Sequence, residues 1–167
     1  MKTKYYLVAL LVFVLDHFTK WVVRARLEHG DTIELIPNYL RFSYVKNSGV
    51  AFGLFSEIQS AWKPYLLAAM AVVAVVIILI YSSRMPLDRI MLQLGLAITM
   101  GGIIGNFVDR IFNGYVVDFI EFHIKESFHW PTFNLADSAI TIGIALLLID
   151  TIKDPGLDEE LQRQTHE

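Results

Sequence analysis

Six residues able to accept, donate or transfer a proton stand in three short segments of an otherwise apolar chain. G-G-I-I-G-N-F-V-D-R at 101–110 carries Asn106, Asp109 and Arg110; V-V-D-F at 116–119 carries Asp118; F-N-L-A-D at 133–137 carries Asn134 and Asp137. They lie at the ends of long apolar runs, where a charge is costly unless paired or solvated and by default marks function. Asp118 and Asp137 have no cation beside them in sequence. Two carboxylates that share a site cannot readily both ionise, so one is held protonated. The anion can then activate water while the acid polarises a carbonyl, which is the division of labour of an aspartic peptidase.

Each of these residues also has a plain structural reading. Asn134 with Asp137 three residues later forms a helix N-capping pattern. Asp109 beside Arg110 reads as an interfacial ion pair ending a helix. Asp16 and Lys20, four apart, share a helix face and can pair; the functional alternative is that they face the bundle interior and support the site. The surroundings separate the two aspartates. Asp118 sits among Val116, Val117, Phe119 and Ile120, where desolvation favours the neutral acid. Asp137 falls in a first helical turn, where the dipole favours the anion. The expectation is that Asp137 holds the charge and Asp118 the shared proton.

Composition narrows the class. Of 167 residues, 54% are hydrophobic, well above the usual globular share, which indicates an integral membrane protein of one domain. A net charge of −3 with no long basic run gives no reason to expect nucleic acid. The absence of cysteine excludes disulfides, thiolate metal sites and a cysteine nucleophile. The five histidines are scattered without a zinc-binding spacing. Lys2 and Lys4 before an apolar run resemble the opening of a signal peptide. No small-residue cleavage site follows, so the run is expected to stay as a first membrane helix.

The elements that must position the site follow from the apolar runs. Four transmembrane helices are expected, at about 5–23, 64–81, 87–108 and 134–152, within a membrane domain covering 1–153. A polar tail at 154–167 is expected to be cytoplasmic and disordered. The segment 24–63 alternates at Thr32–Ile36 and again at Leu40–Val45, around Pro37-Asn38, which predicts two short strands of a small β/loop platform outside the membrane. Asn47–Phe55, with Gly49 and Gly53 among aromatics, reads as a mobile loop over the site or as an ordinary anchored loop. Tyr115–Ile120 is extended or re-entrant in character, and Trp130 suits an interface anchor. Gly101 and Gly105 form a G-x-x-x-G face that allows close helix approach and is a candidate groove for a substrate helix. Pro86 can open the third span. Four spans put both termini on one side and the platform, with Asp118 and Asp137, on the other. Counting cations gives a tie between the sides, and the short Arg84–Arg89 loop favours termini inside.

Taken in order, D-H-F-T-K at 16–20, K-N-S-G-V-A-F-G at 46–53 and the three segments above resemble the bacterial lipoprotein signal peptidase family, signal peptidase II. The resemblance spans nearly the whole chain and departs at Val50, where many relatives carry alanine. It implies an inner-membrane aspartic endopeptidase that removes signal peptides from prolipoproteins, cutting before a cysteine that bears diacylglyceryl. By motif match Asp118 and Asp137 would be the catalytic pair. Asn47, Asn106, Arg110 and Asn134 would bind substrate, and Asp16, Lys20, Asp109, Gly101 and Gly105 would support them. No metal or organic cofactor is implied. The expected partners are membrane lipid, the lipidated substrate and cyclic peptide inhibitors of the globomycin type, and the chain is expected to be a monomer. Two rival classes fit the residues without the resemblance. One is a small transporter or channel subunit with an intramembrane carboxylate path, the other a hydrolase binding Mg²⁺ through its aspartates and asparagines.

Overall fold

The computed structural model describes residues 2–49, 62–125 and 127–153. Four helices, α1 (Thr3–Arg26), α2 (Lys63–Arg84), α3 (Ile90–Asn113) and α4 (Leu135–Lys153), are each long and apolar enough to cross a membrane. Strands β1 (Thr32–Ile36) and β2 (Leu40–Asn47) lie between α1 and α2, and β3 (Val116–Ile124) and β4 (Phe128–His129) between α3 and α4. The tail beyond Lys153, and residues 50–55 of the loop read as mobile, fall outside the described residues.

α3 is the centre of the bundle. Of its most apolar stretch 61% is buried, against 22% or less in the other three helices, and α1, α2 and α4 all pack on it. Its small residues explain why. A Cβ at Gly101 would come within 2.6 Å of the Ala9 carbonyl oxygen of α1, and one at Gly102 within 2.5 Å of the Ala136 carbonyl oxygen of α4. At Gly105 it would meet a carboxylate oxygen of Asp16 at 2.5 Å. The glycine face is therefore filled by two neighbouring helices, and the expected substrate groove there does not exist. α2 has the fewest buried positions, Lys63, Ala68 and Ser82, and turns Met70, Val73 and Ile77 outward, as its plain Ala/Val/Ile/Leu lining predicts.

The third span differs from its sequence reading at both ends. It starts at Ile90, leaving Pro86 in the connection from α2, and runs on to Asn113. Gly114, with φ of 75°, then closes it and donates its N–H to the Arg110 carbonyl at 3.1 Å. A left-handed residue at this position is the usual glycine stop.

The platform is larger than two strands. β1, β2 and β3 pair antiparallel in that order and β4 adds to β3. The run V-V-D-F-I-E-F-H-I, read as extended or re-entrant, is a strand because its β-branched and aromatic residues pack against β2 and the end of α1: Val23, Tyr44, Val117 and Phe119 form a common core. A second buried charge follows at Glu121. Burial pushes its carboxyl up, but the Arg41 fork at 2.9 and 2.7 Å, Ser43 and His129 outweigh this and hold it down at about 2. The sheet sits at the end of the bundle where α1 and α3 finish and α2 and α4 begin. At the opposite end Lys2 donates to the carbonyls of Ser82 and Met85, and Arg89 pairs with Asp150.

Candidate active site

Three asparagines draw the two aspartates into one place. Asp118 enters on β3, paired across from Val45 of β2, and only 2% of its surface is exposed. Asn47, the last residue of β2, donates through Nδ2 to Asp118 Oδ2 at 2.8 Å. Asn134, fully buried just before α4, donates to Asp118 Oδ1 at 2.7 Å. The same Asn134 accepts the Asp137 backbone N–H at 2.8 Å, so the capping reading of Asn134–Asp137 is correct. Capping and site-building are one arrangement here, because the cap side chain spends its oxygen on the helix and its nitrogen on Asp118. Asn106 of α3 completes the set and donates to Asp137 Oδ1 at 2.7 Å.

Behind Asn106 lies a buried ionic cluster. Lys20, 1% exposed, contacts Asp16 at 2.8 Å, Asp109 at 2.9 Å and Asn106 Oδ1 at 3.0 Å. Arg24 adds a second cation at 2.5 Å from Asp109. Two anions thus face two cations, as buried charges require. Asp16 also accepts the Ala136 N–H at 2.9 Å, holding the start of α4 against α1. The reading of Asp109 and Arg110 as a helix-ending ion pair is corrected: adjacent helical residues point apart. Asp109 turns to α1, while Arg110 turns to the Gly49 carbonyl at 3.1 Å and the Asn106 carbonyl at 3.2 Å.

The two carboxyls differ in exposure. Burial, and then the charge of Asp137, push the Asp118 carboxyl up from 3.8 to about 7, against the opposing bonds from Asn47 and Asn134. Asp137 is only partly buried and lines a cavity of about 390 Å³ with Trp130, Phe133, Ser138 and Thr141. An enclosed acid beside a carboxylate that meets open space can carry out acid–base hydrolysis of a bond placed between them.

All the residues singled out from sequence as catalytic or substrate-binding come together here: Asp118, Asp137, Asn47, Asn106, Arg110 and Asn134. The supporting set of Asp16, Lys20, Gly101, Gly105 and Asp109 forms the wall behind. Two members were missed. Arg24 continues the Asp16–Lys20 face by four residues, and Asn113, four beyond Asp109, donates to its Oδ1 at 2.9 Å. The same helical spacing would have found both.

Residues 8–153 match the sequence profile of the family described as Signal peptidase (SPase) II. The chain belongs to the signal peptidase II family. A lipoprotein signal peptidase from Francisella tularensis subsp. novicida (strain U112) is 35% identical over 147 residues, covering 88% of this chain and 90% of that one. Another from Alteromonas mediterranea is 40% identical over 147 residues, covering 88% and 79%. The fold is similar to that of a bacterial membrane enzyme solved by the in meso method at 2.3 Å resolution. The TM-score is 0.80, with 30% identity over 92% of this chain and 90% of the other. A second such structure, at 1.9 Å, gives a TM-score of 0.79 at 31% identity. Membership in the signal peptidase II family places a membrane-embedded peptidase on a four-helix bundle with a small sheet.

Proposed function

We propose that the chain removes signal peptides from prolipoproteins by aspartic hydrolysis at Asp118 and Asp137, cutting before a diacylglyceryl-modified cysteine. The observation that carries this reading is the single asparagine, Asn134, that donates to one aspartate and caps the helix turn of the other. Asp137, as the anion, takes a proton from a water whose oxygen attacks the scissile carbonyl. Asp118, as the acid, gives a hydrogen bond and then its proton to the carbonyl oxygen. When the tetrahedral intermediate collapses, the proton held by Asp137 passes to the leaving nitrogen and a hydroxyl proton returns to Asp118, which restores the starting pair. Asn106 and Asn47 hold the two carboxyls in place. Arg110 positions the substrate: its buried Nε has no hydrogen-bond partner among the described residues and can donate to a peptide carbonyl. The apolar cavity beside Asp137 suits the lipidated side of the substrate better than the closed glycine face does.

The sheet and the dyad lie at one end of the bundle, and a lipid-anchored substrate presents its scissile bond at the same level. We place that end at the outer leaflet of the bacterial inner membrane, with both termini cytoplasmic, and take the working form to be a monomer open to inhibitors of the globomycin type. The test is cleavage by purified protein of two prolipoprotein peptides that differ only in the diacylglyceryl group. Cleavage confined to the lipidated peptide supports the reading. Equal cleavage of both removes the lipid from the recognition, and cleavage of neither removes the activity.

A further inference from the structure

The orientation of each asparagine amide at the dyad is dictated by the N–H groups that donate to its oxygen. Asn47 Oδ1 accepts the Gly49 N–H at 2.8 Å, and Asn134 Oδ1 accepts the Asp137 N–H at 2.8 Å. Asn106 Oδ1 accepts from Lys20 Nζ at 3.0 Å and from Asn134 Nδ2 at 3.2 Å. With each oxygen taken, each Nδ2 is left to face a carboxylate: Asp118 for Asn47 and Asn134, Asp137 for Asn106. An asparagine side chain has nearly the same shape either way round, so only its partners decide which end faces the acid. Asn47 and Asn134 are each fixed by a backbone N–H, which side-chain substitution cannot change, and Asn134 in turn helps to fix Asn106. Lys20 is the other group that fixes Asn106, and the charged one.

The geometry points to Lys20 as a positioning residue for catalysis, which locks Asn106 with its nitrogen toward Asp137 and so keeps the catalytic anion facing a donor. Its three protons are used on Asp16, Asp109 and Asn106, and it has no lone pair to offer. A flipped Asn106 would bring two acceptors together at Asp137, and would turn its nitrogen toward the donors Lys20 and Asn134. Both contacts are unfavourable, so the flipped state stays empty. A side chain at position 20 that can also accept would remove the charged one of the two donor clashes and so raise the population of the flipped state, which faces Asp137 with an oxygen and favours its protonated, inactive form. This inference rests on the aspartic reading above. The charged groups that act on the Asp137 carboxyl are Lys20 on α1, Arg110 on α3 and Asp118 on β3, while Asp16, Asp109 and Arg24, with His17 against Asp16 at 3.7 Å, make up the ion cluster around Lys20.

The test is the pH–rate profile for cleavage of a diacylglyceryl-modified prolipoprotein peptide, with Tm measured on the same samples. Compared with Lys20→Met, which loses the same charge but cannot accept, Lys20→Gln is expected to move the acid limb to higher pH by about one unit more, the scale of one lost hydrogen bond to a charge. Its kcat falls more than its KM rises. Lys20→Arg, still a pure donor, keeps the parent limb. Asp16→Asn weakens the ion pair without touching the Lys20–Asn106 bond, and lowers Tm with the limb in place. A limb in Lys20→Gln that moves no further than in Lys20→Met overturns the inference and leaves Lys20 a charge and ion-pair residue only. If Lys20→Gln does not fold, Lys20→Arg decides: the parent limb supports the inference and a shifted one overturns it. The two levels of the account fail separately. No cleavage by the parent protein sinks the peptidase reading, whereas cleavage with equal limbs in Lys20→Gln and Lys20→Met sinks only the role of Lys20.

Discussion

Replacing Asp118 by Asn should abolish cleavage and, above neutral pH, leave a protein at least as resistant to unfolding as the parent. The carboxyl is 2% exposed and sits at about 7, raised from 3.8 by burial and by the neighbouring Asp137. A group raised in this way binds more proton when folded than when unfolded. Its contribution to stability is fully present below the unfolded value and is lost as pH rises through the folded one. The rise from 3.8 to about 7, at about 1.4 kcal/mol per pH unit, corresponds to about 4 kcal/mol lost between pH 4 and pH 8. For a chain of this size that is a Tm change on the order of 10 °C. Asn has no such dependence. It carries a fixed penalty instead, because Asn47 and Asn134 both donate to Asp118 and an amide offers only one oxygen. That mismatch costs about 1–3 kcal/mol at every pH. The Tm curves of parent and variant, measured in detergent from pH 5 to 8.5, should therefore cross. The variant lies below the parent at acid pH and level or above it at alkaline pH. Parallel curves would show that the folded protein does not hold a proton on Asp118, and the acid role given to it would fail.

Further expectations follow from single contacts. Asn47→Ala removes a donor at 2.8 Å from Asp118, so the alkaline limb of the rate profile should move up by about one pH unit; a limb that stays or moves down contradicts the donor role. Arg110→Lys should raise KM at least several-fold, because an ammonium cannot reach the Gly49 carbonyl and a substrate carbonyl with a planar fork; parent-like kinetics would reduce Arg110 to a loop anchor. Gly105→Ala places a methyl 2.5 Å from the Asp16 carboxylate and should destabilise the bundle by about 1–3 kcal/mol, read as a lowered Tm; an unchanged Tm would mean that α1 can move away freely.

The sequence made the bundle and the site legible for different reasons. Uninterrupted apolar runs mark the four helices, and α2 shows its scaffold role because a lipid-facing helix needs nothing but apolar side chains. Asp118 and Asp137 stood out because an unpaired carboxylate at a membrane edge has few structural uses. Partner choice was harder to see. Asp109 and Arg110 are neighbours in the chain, but a helix turns them about 100° apart, so each bonds to a different element. The glycine face looked like an opening because G-x-x-x-G records close approach without saying what approaches. Here α1 and the Asp16 carboxylate occupy it. β3 was ambiguous because its pairing with β2 joins residues about seventy to eighty positions apart, beyond any local pattern.

The central claim is that Asp118 and Asp137 form one catalytic pair, and purified Asp118→Asn and Asp137→Asn proteins, shown by Tm to be folded, test it most directly. Cleavage of a diacylglyceryl-modified prolipoprotein peptide should fall below detection in both single variants while the parent turns the peptide over. Turnover by either folded variant at a substantial fraction of the parent rate would remove that residue from the chemistry and contradict the account.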